Sequence, residues 1–131
     1  MSLPDLIDPE VAYELFTEGR IAFIDARPEA SYREARFQLP QASHVPAGHG
    51  AEIVAALRAL PYGTNIGLVM YCDEPHQAAS YQVARYAKEV GFGDVSVLAG
   101  GYSAWADAGF PFEPTPHSIP IEEPPPAPSA L

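Results

Sequence analysis

The run Ile66-Gly67-Leu68-Val69-Met70-Tyr71 carries no charge, and its apolar side chains fall on both faces rather than alternating with polar ones. It is too short for a helix and reads as a strand buried on both faces. Strands of that kind belong to parallel sheets, because each crossover lays a helix over a face of the sheet. The same theme recurs twice. Ile21-Ala22-Phe23-Ile24 ends in Asp25, and Val95-Ser96-Val97-Leu98 ends before Gly100-Gly101.

Helical segments separate these strands. Asp8 is placed to cap a first helix over Pro9 to Glu18, with Pro9 at its opening position and Gly19 closing it. Val11, Leu15 and Phe16 share its apolar face. Pro28 to Glu34 reads as a short helix. The stretch from Leu39 to Pro46 is a turn followed by a short extended piece. A further helix runs roughly from Gly50 to Leu60, with Ile53, Val54 and Leu57 on one side. A strong helix spans Ala78 to Val90 and stops at Gly91. A last one spans Tyr102 to Ala108, stopped by Gly109 and Pro111. Alternating strands and helices imply right-handed parallel crossovers. The expected fold class is α/β, with four or five parallel strands and helices on both faces.

Prolines crowd the chain from Pro111 onward, at 111, 114, 116, 120, 124, 125, 126 and 128. We therefore divide the chain into a domain over residues 1–112 and a proline-rich tail over residues 113–131. The tail is expected to be extended or disordered, with room to lie on the domain surface, to form neither helix nor central strand, and to contribute little to stability.

A chain of 131 residues, 47% of them hydrophobic, supports one domain with one core. No stretch approaches the ~20 apolar residues of a membrane span, and no basic cluster with an apolar run marks a secretory leader at the N-terminus. The formal net charge is −10, and the seven Lys and Arg residues are scattered. Nucleic acid and anionic membranes each need a basic patch, so neither is expected as a partner. The one cysteine cannot form an internal disulfide, which fits a reducing compartment such as the cytoplasm. Nothing in the sequence specifies an oligomeric state.

In an open parallel sheet, ligands bind beyond the carboxyl ends of the strands. Asp25, His44 and Cys72 each follow a predicted strand closely and should share that edge. Cys72 lies between a strand and a helix. The backbone N–H groups of the following loop and the start of the helix at Ala78 can stabilise a thiolate there. The competing reading is a small buried hydrophobe, as free cysteines often are. His76 is the one residue of the loop able to add positive charge beside the thiol, though an exposed loop histidine is the simpler reading. Cys72, His44, His49 and His76 match no standard zinc spacing, so no metal is expected. A cysteine phosphatase needs an arginine in its loop; position 77 is Gln.

Four segments resemble the rhodanese family. Ile24-Asp25-Ala26-Arg27 is similar to its strand ending in Asp-x-Arg. Leu39-Pro40-Gln41-Ala42-Ser43-His44-Val45-Pro46 is similar to its I-P-G-A-x-x-I-P segment, with Gln41 in place of Gly. Tyr71-Cys72 resembles its active-site strand end. The run from Leu98 to Pro111, containing Gly100-Gly101-Tyr102-Ser103-Ala104-Trp105, resembles its closing L-x-G-G-x-x-A-W-x-x-A-G-x-P. The likeness covers roughly residues 6 to 112, in order.

The resemblance implies a parallel five-stranded sheet and a sulfurtransferase that needs no cofactor. Cys72 would take sulfur from a small donor, become a persulfide and pass the sulfur to a thiol or cyanide-like acceptor. Asp73, Glu74, Pro75, His76, Gln77 and Ala78 would form the loop around it. Asp25, Arg27 and His44 would support it, the first two most simply as a structural ion pair. Active members usually carry C-x-x-G-x-R; this loop has neither the Gly nor the Arg, and Asp73 and Glu74 follow the cysteine directly. Like charges ~4 Å apart repel by about 1 kcal/mol in water. The loop thus weakens the case for an anionic donor such as thiosulfate. It also keeps a second reading open, a binding or regulatory module with little catalysis.

Overall fold

The computed structural model describes residues 3–73 and 77–118. In chain order the elements are β1 (Leu6–Ile7), α1 (Pro9–Thr17), β2 (Ile21–Asp25), α2 (Glu29–Glu34), β3 (Phe37–Gln38), β4 (Ser43–His44), α3 (Gly50–Arg58), β5 (Gly67–Tyr71), α4 (Ala78–Glu89), β6 (Val95–Leu98), α5 (Gly101–Asp107) and β7 (Glu113–Pro114). A 3-10 turn follows at Pro116–Ser118.

Five strands form one sheet in the order β1-β6-β5-β2-β4. Every pairing in it is parallel. The fully apolar strand β5 lies in the middle and is buried along its whole length, as its sequence requires.

Successive β5 side chains go to opposite faces. Leu68 and Met70 pack with Ile53 and Leu57 of α3 and Val83 and Ala87 of α4. Val69 and Tyr71 pack with Ala12 of α1 and Trp105 of α5. The core is therefore two layers divided by the sheet. Trp105 centres the second layer, 5.1 Å from the Phe23 ring, and its Nε1–H donates to the Pro111 carbonyl at 2.7 Å.

Some sequence expectations change. Asp8 holds the N-cap position in extended backbone, but its side chain makes no capping hydrogen bond. Val11 is exposed, and Ala12 supplies the buried position of α1 instead. Strand β1 has no counterpart among the sequence expectations. Its two residues are too few to show a pattern, and it exists because β6 offers an open edge.

The first part of the proline-rich segment lies against the domain. Glu113 and Pro114 pair antiparallel with Gln38 and Phe37. Thr115 is fully buried. Its N–H donates to the Arg36 carbonyl at 3.0 Å and its hydroxyl to the Ala35 carbonyl at 2.9 Å. Proline bars a central strand because it lacks an N–H, but a two-stranded edge tolerates it. No helix among the described residues is long and apolar enough to cross a membrane.

Candidate functional site around Cys72

The parallel register brings the carboxyl ends of three strands level. Asp25 lies opposite His44 on one side and Tyr71 on the other. Cys72 follows the middle strand directly, and helix α4 begins at Ala78. Asp25, His44 and Cys72 thus share one edge of the sheet. Cys72 itself is 0% exposed and packs within the layer built from α3 and α4.

The floor of this edge is a buried polar network. Asp25 Oδ1 accepts from the Arg27 backbone N–H at 3.0 Å and from Arg27 Nε at 2.9 Å. Arg27 Nη2 reaches Asp25 Oδ2 and also donates to the Phe37 carbonyl at 2.9 Å. Tyr71 donates its hydroxyl proton to Asp25 Oδ2 at 2.7 Å and accepts the Leu39 N–H at 3.1 Å. His44 Nε2 donates to the Arg27 carbonyl at 2.8 Å, and its ring stacks on Tyr32. Every member is bonded, so this buried pair does not leave a bare charge. Asp25 and Arg27 form a structural ion pair. The guanidinium also lies 5.5 Å from the ring centres of Tyr71 and of Tyr102.

The network sets the proton affinities of its members. Burial pulls Arg27 down, but the hydrogen bonds and charge of Asp25 outweigh it and leave the guanidinium more firmly protonated than usual. Burial, then the neighbouring Asp25 charge, push the Tyr71 phenol well above its ordinary range. Arg27 and Tyr71 thus both hold their protons more tightly than usual.

The walls come from the Gly100-Gly101-Tyr102 turn. The Tyr102 N–H donates to the Cys72 carbonyl at 2.9 Å. Gly101 passes so close that any Cβ would collide with that same carbonyl oxygen, and its φ of +61° also favours glycine. The Gly100 N–H donates to Gln77 Oε1 at 2.7 Å. Gln77 stands in the left-handed region, φ +57°, immediately before α4. The turn therefore holds both flanks of the loop, one through backbone and one through an amide side chain. Gln77 occupies the place of the arginine in the C-x-x-G-x-R pattern, and its carbonyl does a fastening job that an arginine has no acceptor to do.

Glu74, Pro75 and His76 lie outside the described residues. Asp73 is exposed. It borders an open cleft of about 480 Å³ with Arg27, Glu34, Arg36, Phe37 and Tyr102. Sequence reading missed this cleft, the hydroxyl role of Tyr71 and the contact of Gly101 with Cys72. The glycine pair was the available signal for the last, since two adjacent glycines at a strand end mark close backbone approach as well as a turn. Among the described residues no group of three His, Cys, Asp or Glu side chains is placed to hold a metal.

A family model described as Rhodanese-like domain matches residues 8–108. Among solved structures, the rhodanese-like domain of the Alr3790 protein from Anabaena sp. superposes with a TM-score of 0.67 at 19% identity, covering 98% of this chain and 93% of that one. SseA from Escherichia coli, a 3-mercaptopyruvate sulfotransferase, gives a TM-score of 0.68 at 16% identity over 85% of this chain and 52% of that one. The human single-domain sulfurtransferase TSTD1 gives 0.59 at 18% identity over 80% of this chain and 97% of that one. No protein among those curated for function matches the sequence. At these identities the structural likeness is one of fold.

Proposed function

Because the chain belongs to the rhodanese-like domain family, we propose that it is a sulfurtransferase working through a persulfide on Cys72. The observation that carries this reading is the place of Cys72, at the carboxyl end of the central strand and immediately ahead of a helix. The thiolate attacks the sulfane sulfur of a donor and displaces the rest of the donor as its anion. An acceptor thiolate or cyanide then attacks the outer sulfur and releases Cys72 as thiolate. The thiolate is the nucleophile, and backbone N–H groups can stabilise it without a charged side chain. In this role Asp73 to Ala78 supply the surrounding loop, while Asp25, Arg27 and His44 hold its floor.

A second reading is favoured by one observation: Cys72 is 0% exposed, and buried cysteines are usually inert. In that reading the domain keeps the fold as a binding or regulatory module. Incubation with thiosulfate, and separately with mercaptopyruvate or a persulfide donor, separates the two. We expect intact mass to show one added sulfur that cyanide removes and that Cys72→Ser abolishes. If no donor loads the wild type under conditions that load an active relative, the module reading replaces the enzyme.

A further inference from the structure

We propose that Gln77 is a positioning residue for the reaction at Cys72: acting through the Gly100-Gly101-Tyr102 turn, it fixes where the start of α4 stands relative to that cysteine. The proposal rests on the persulfide reading of Cys72 and adds the residue that lets a loop without the arginine serve it.

Two hydrogen bonds converge on one turn. The Gly100 N–H donates to Gln77 Oε1 at 2.7 Å, and the Tyr102 N–H donates to the Cys72 carbonyl at 2.9 Å. Gln77 and Cys72 are thus held by residues two apart in the chain. The turn itself has little freedom. A Cβ on Gly100 would strike the Ala104 side chain and one on Gly101 the Cys72 carbonyl, and both glycines have positive φ, +76° and +61°. A rigid turn that holds both residues sets the spacing between them.

The Gln77 amide serves this bond and not its own helix. Gln77 is the N-cap of α4 but makes no capping hydrogen bond, and the first turn of α4 holds no acidic residue. An N-cap side chain ordinarily turns back onto the first-turn N–H groups; this one reaches away to Gly100. No side chain of the first turn therefore offsets the partial positive charge at the start of α4, which acts over about one helical turn. The nearby guanidinium of Arg27 cannot replace it, because Asp25 holds it. Charge that develops on a sulfur during transfer is stabilised by groups already in place, and a misplacement of about 1 Å can slow a reaction roughly a hundredfold. Fixing the start of α4 is therefore a kinetic matter as well as a structural one.

A second glutamine of the same helix supplies the control. Gly48 donates its N–H to Gln82 Oε1 at 3.0 Å and accepts from Gln82 Nε2 at 2.8 Å. Those bonds fasten α4 to a different loop and reach neither the turn nor Cys72.

Variants of the full chain test the proposal. Q77M keeps the length of the side chain and loses the acceptor, Q77E keeps the acceptor, and Q77R loses it while adding a cation. Q82M controls for general loosening of α4. Loading of Cys72 from thiosulfate, mercaptopyruvate and cysteine persulfide is followed by intact mass against donor concentration, and the Gly100 amide by NMR hydrogen exchange. We expect Q77M and Q77R to lose protection at Gly100 and about tenfold in maximal loading rate, the worth of one hydrogen bond, with the half-saturating donor concentration little changed. Q77E should keep the protection and most of the rate, and Q82M should keep both while lowering Tm. An unchanged rate in Q77M, an equal loss in Q82M, or faster loading in Q77R than in wild type overturns the proposal while the persulfide reading stands. If no donor loads the wild type, that reading falls and the positioning role falls with it, whatever the Gly100 amide shows.

Discussion

The backbone N–H of Tyr102 is hydrogen-bonded to the carbonyl of Cys72 at 2.9 Å, tying the start of α5 to the end of the central strand. This bond is possible because Gly101 has no side chain. The same glycine is buried and has a positive φ.

Gly101→Ala should therefore be costly twice over. The added methyl meets the Cys72 carbonyl, an overpacking cost of roughly 1–3 kcal/mol, and the left-handed backbone adds about 1 kcal/mol more. We expect a clear loss of melting temperature and, in any protein that folds, slower sulfur loading of Cys72. Chemical denaturation with mass spectrometry of the loaded protein checks both. A variant with wild-type stability would show that the turn yields easily.

Removing one half of the buried pair should hurt more than removing both. Asp25→Ala leaves the Arg27 guanidinium buried without its carboxylate, beside a Tyr71 hydroxyl whose proton has lost its acceptor, and we expect a loss of about 3–5 kcal/mol. The double variant Asp25→Leu with Arg27→Met should lose less than Asp25→Ala alone. Equilibrium unfolding of the set gives the comparison, and strict additivity would mean that the pair is not coupled.

High pH should weaken the fold through Tyr71. Its phenol is raised in the folded protein by burial and by Asp25, while in the unfolded chain it titrates near pH ~10. Above that pH the unfolded state releases a proton that the folded state keeps. Stability is thus fully present below pH ~10 and falls as pH rises, by up to about 1.4 kcal/mol per pH unit for one such group. Tyr32, Tyr62 and Tyr102 are raised as well, first by burial, and act in the same direction. Arg27, also raised, stays protonated throughout and adds no slope there. Melting temperatures should hold up to about pH 10 and decline above it, and Tyr71→Phe should flatten the decline.

Thr115 should matter despite its place in a proline-rich segment. Thr115→Val removes the hydroxyl bond to the Ala35 carbonyl, but His117 Nε2 still donates to that oxygen at 2.9 Å. The carbonyl keeps a partner, so the cost should stay near ~1 kcal/mol. Truncation before Glu113 also removes the β3–β7 pairing and should cost more. Thermal melts of the two proteins order them. Equal stability of both with wild type would restore the original expectation of a dispensable segment.

The large features were legible because burial writes them into the sequence. Strand β5 is apolar on both faces since it lies mid-sheet, while the Asp25–Arg27 pair is legible through the resemblance to a strand ending in Asp-x-Arg. What escaped notice depends on partners distant in sequence. Tyr71 reads as one more large apolar residue, since periodicity reports its ring and not where its hydroxyl lands. Strand β1 has two residues and no pattern of its own. Thr115 sits among prolines, where local preference argues against structure and only the Ala35 and Arg36 carbonyls decide otherwise.

The strand order also dictates a sequence of events during synthesis. Leu6 and Ile7 are made early, yet their partners are Val97 and Leu98. The central strand β5 likewise waits for β6 on one side while already able to join β2 on the other. An emerging chain can assemble β2, β4 and β5 first, but the N-terminal strand has no edge to join until β6 leaves the ribosome. Closing so long a loop slows the final step. Until then the open side of β5 stays available to whatever strand or chaperone meets it first.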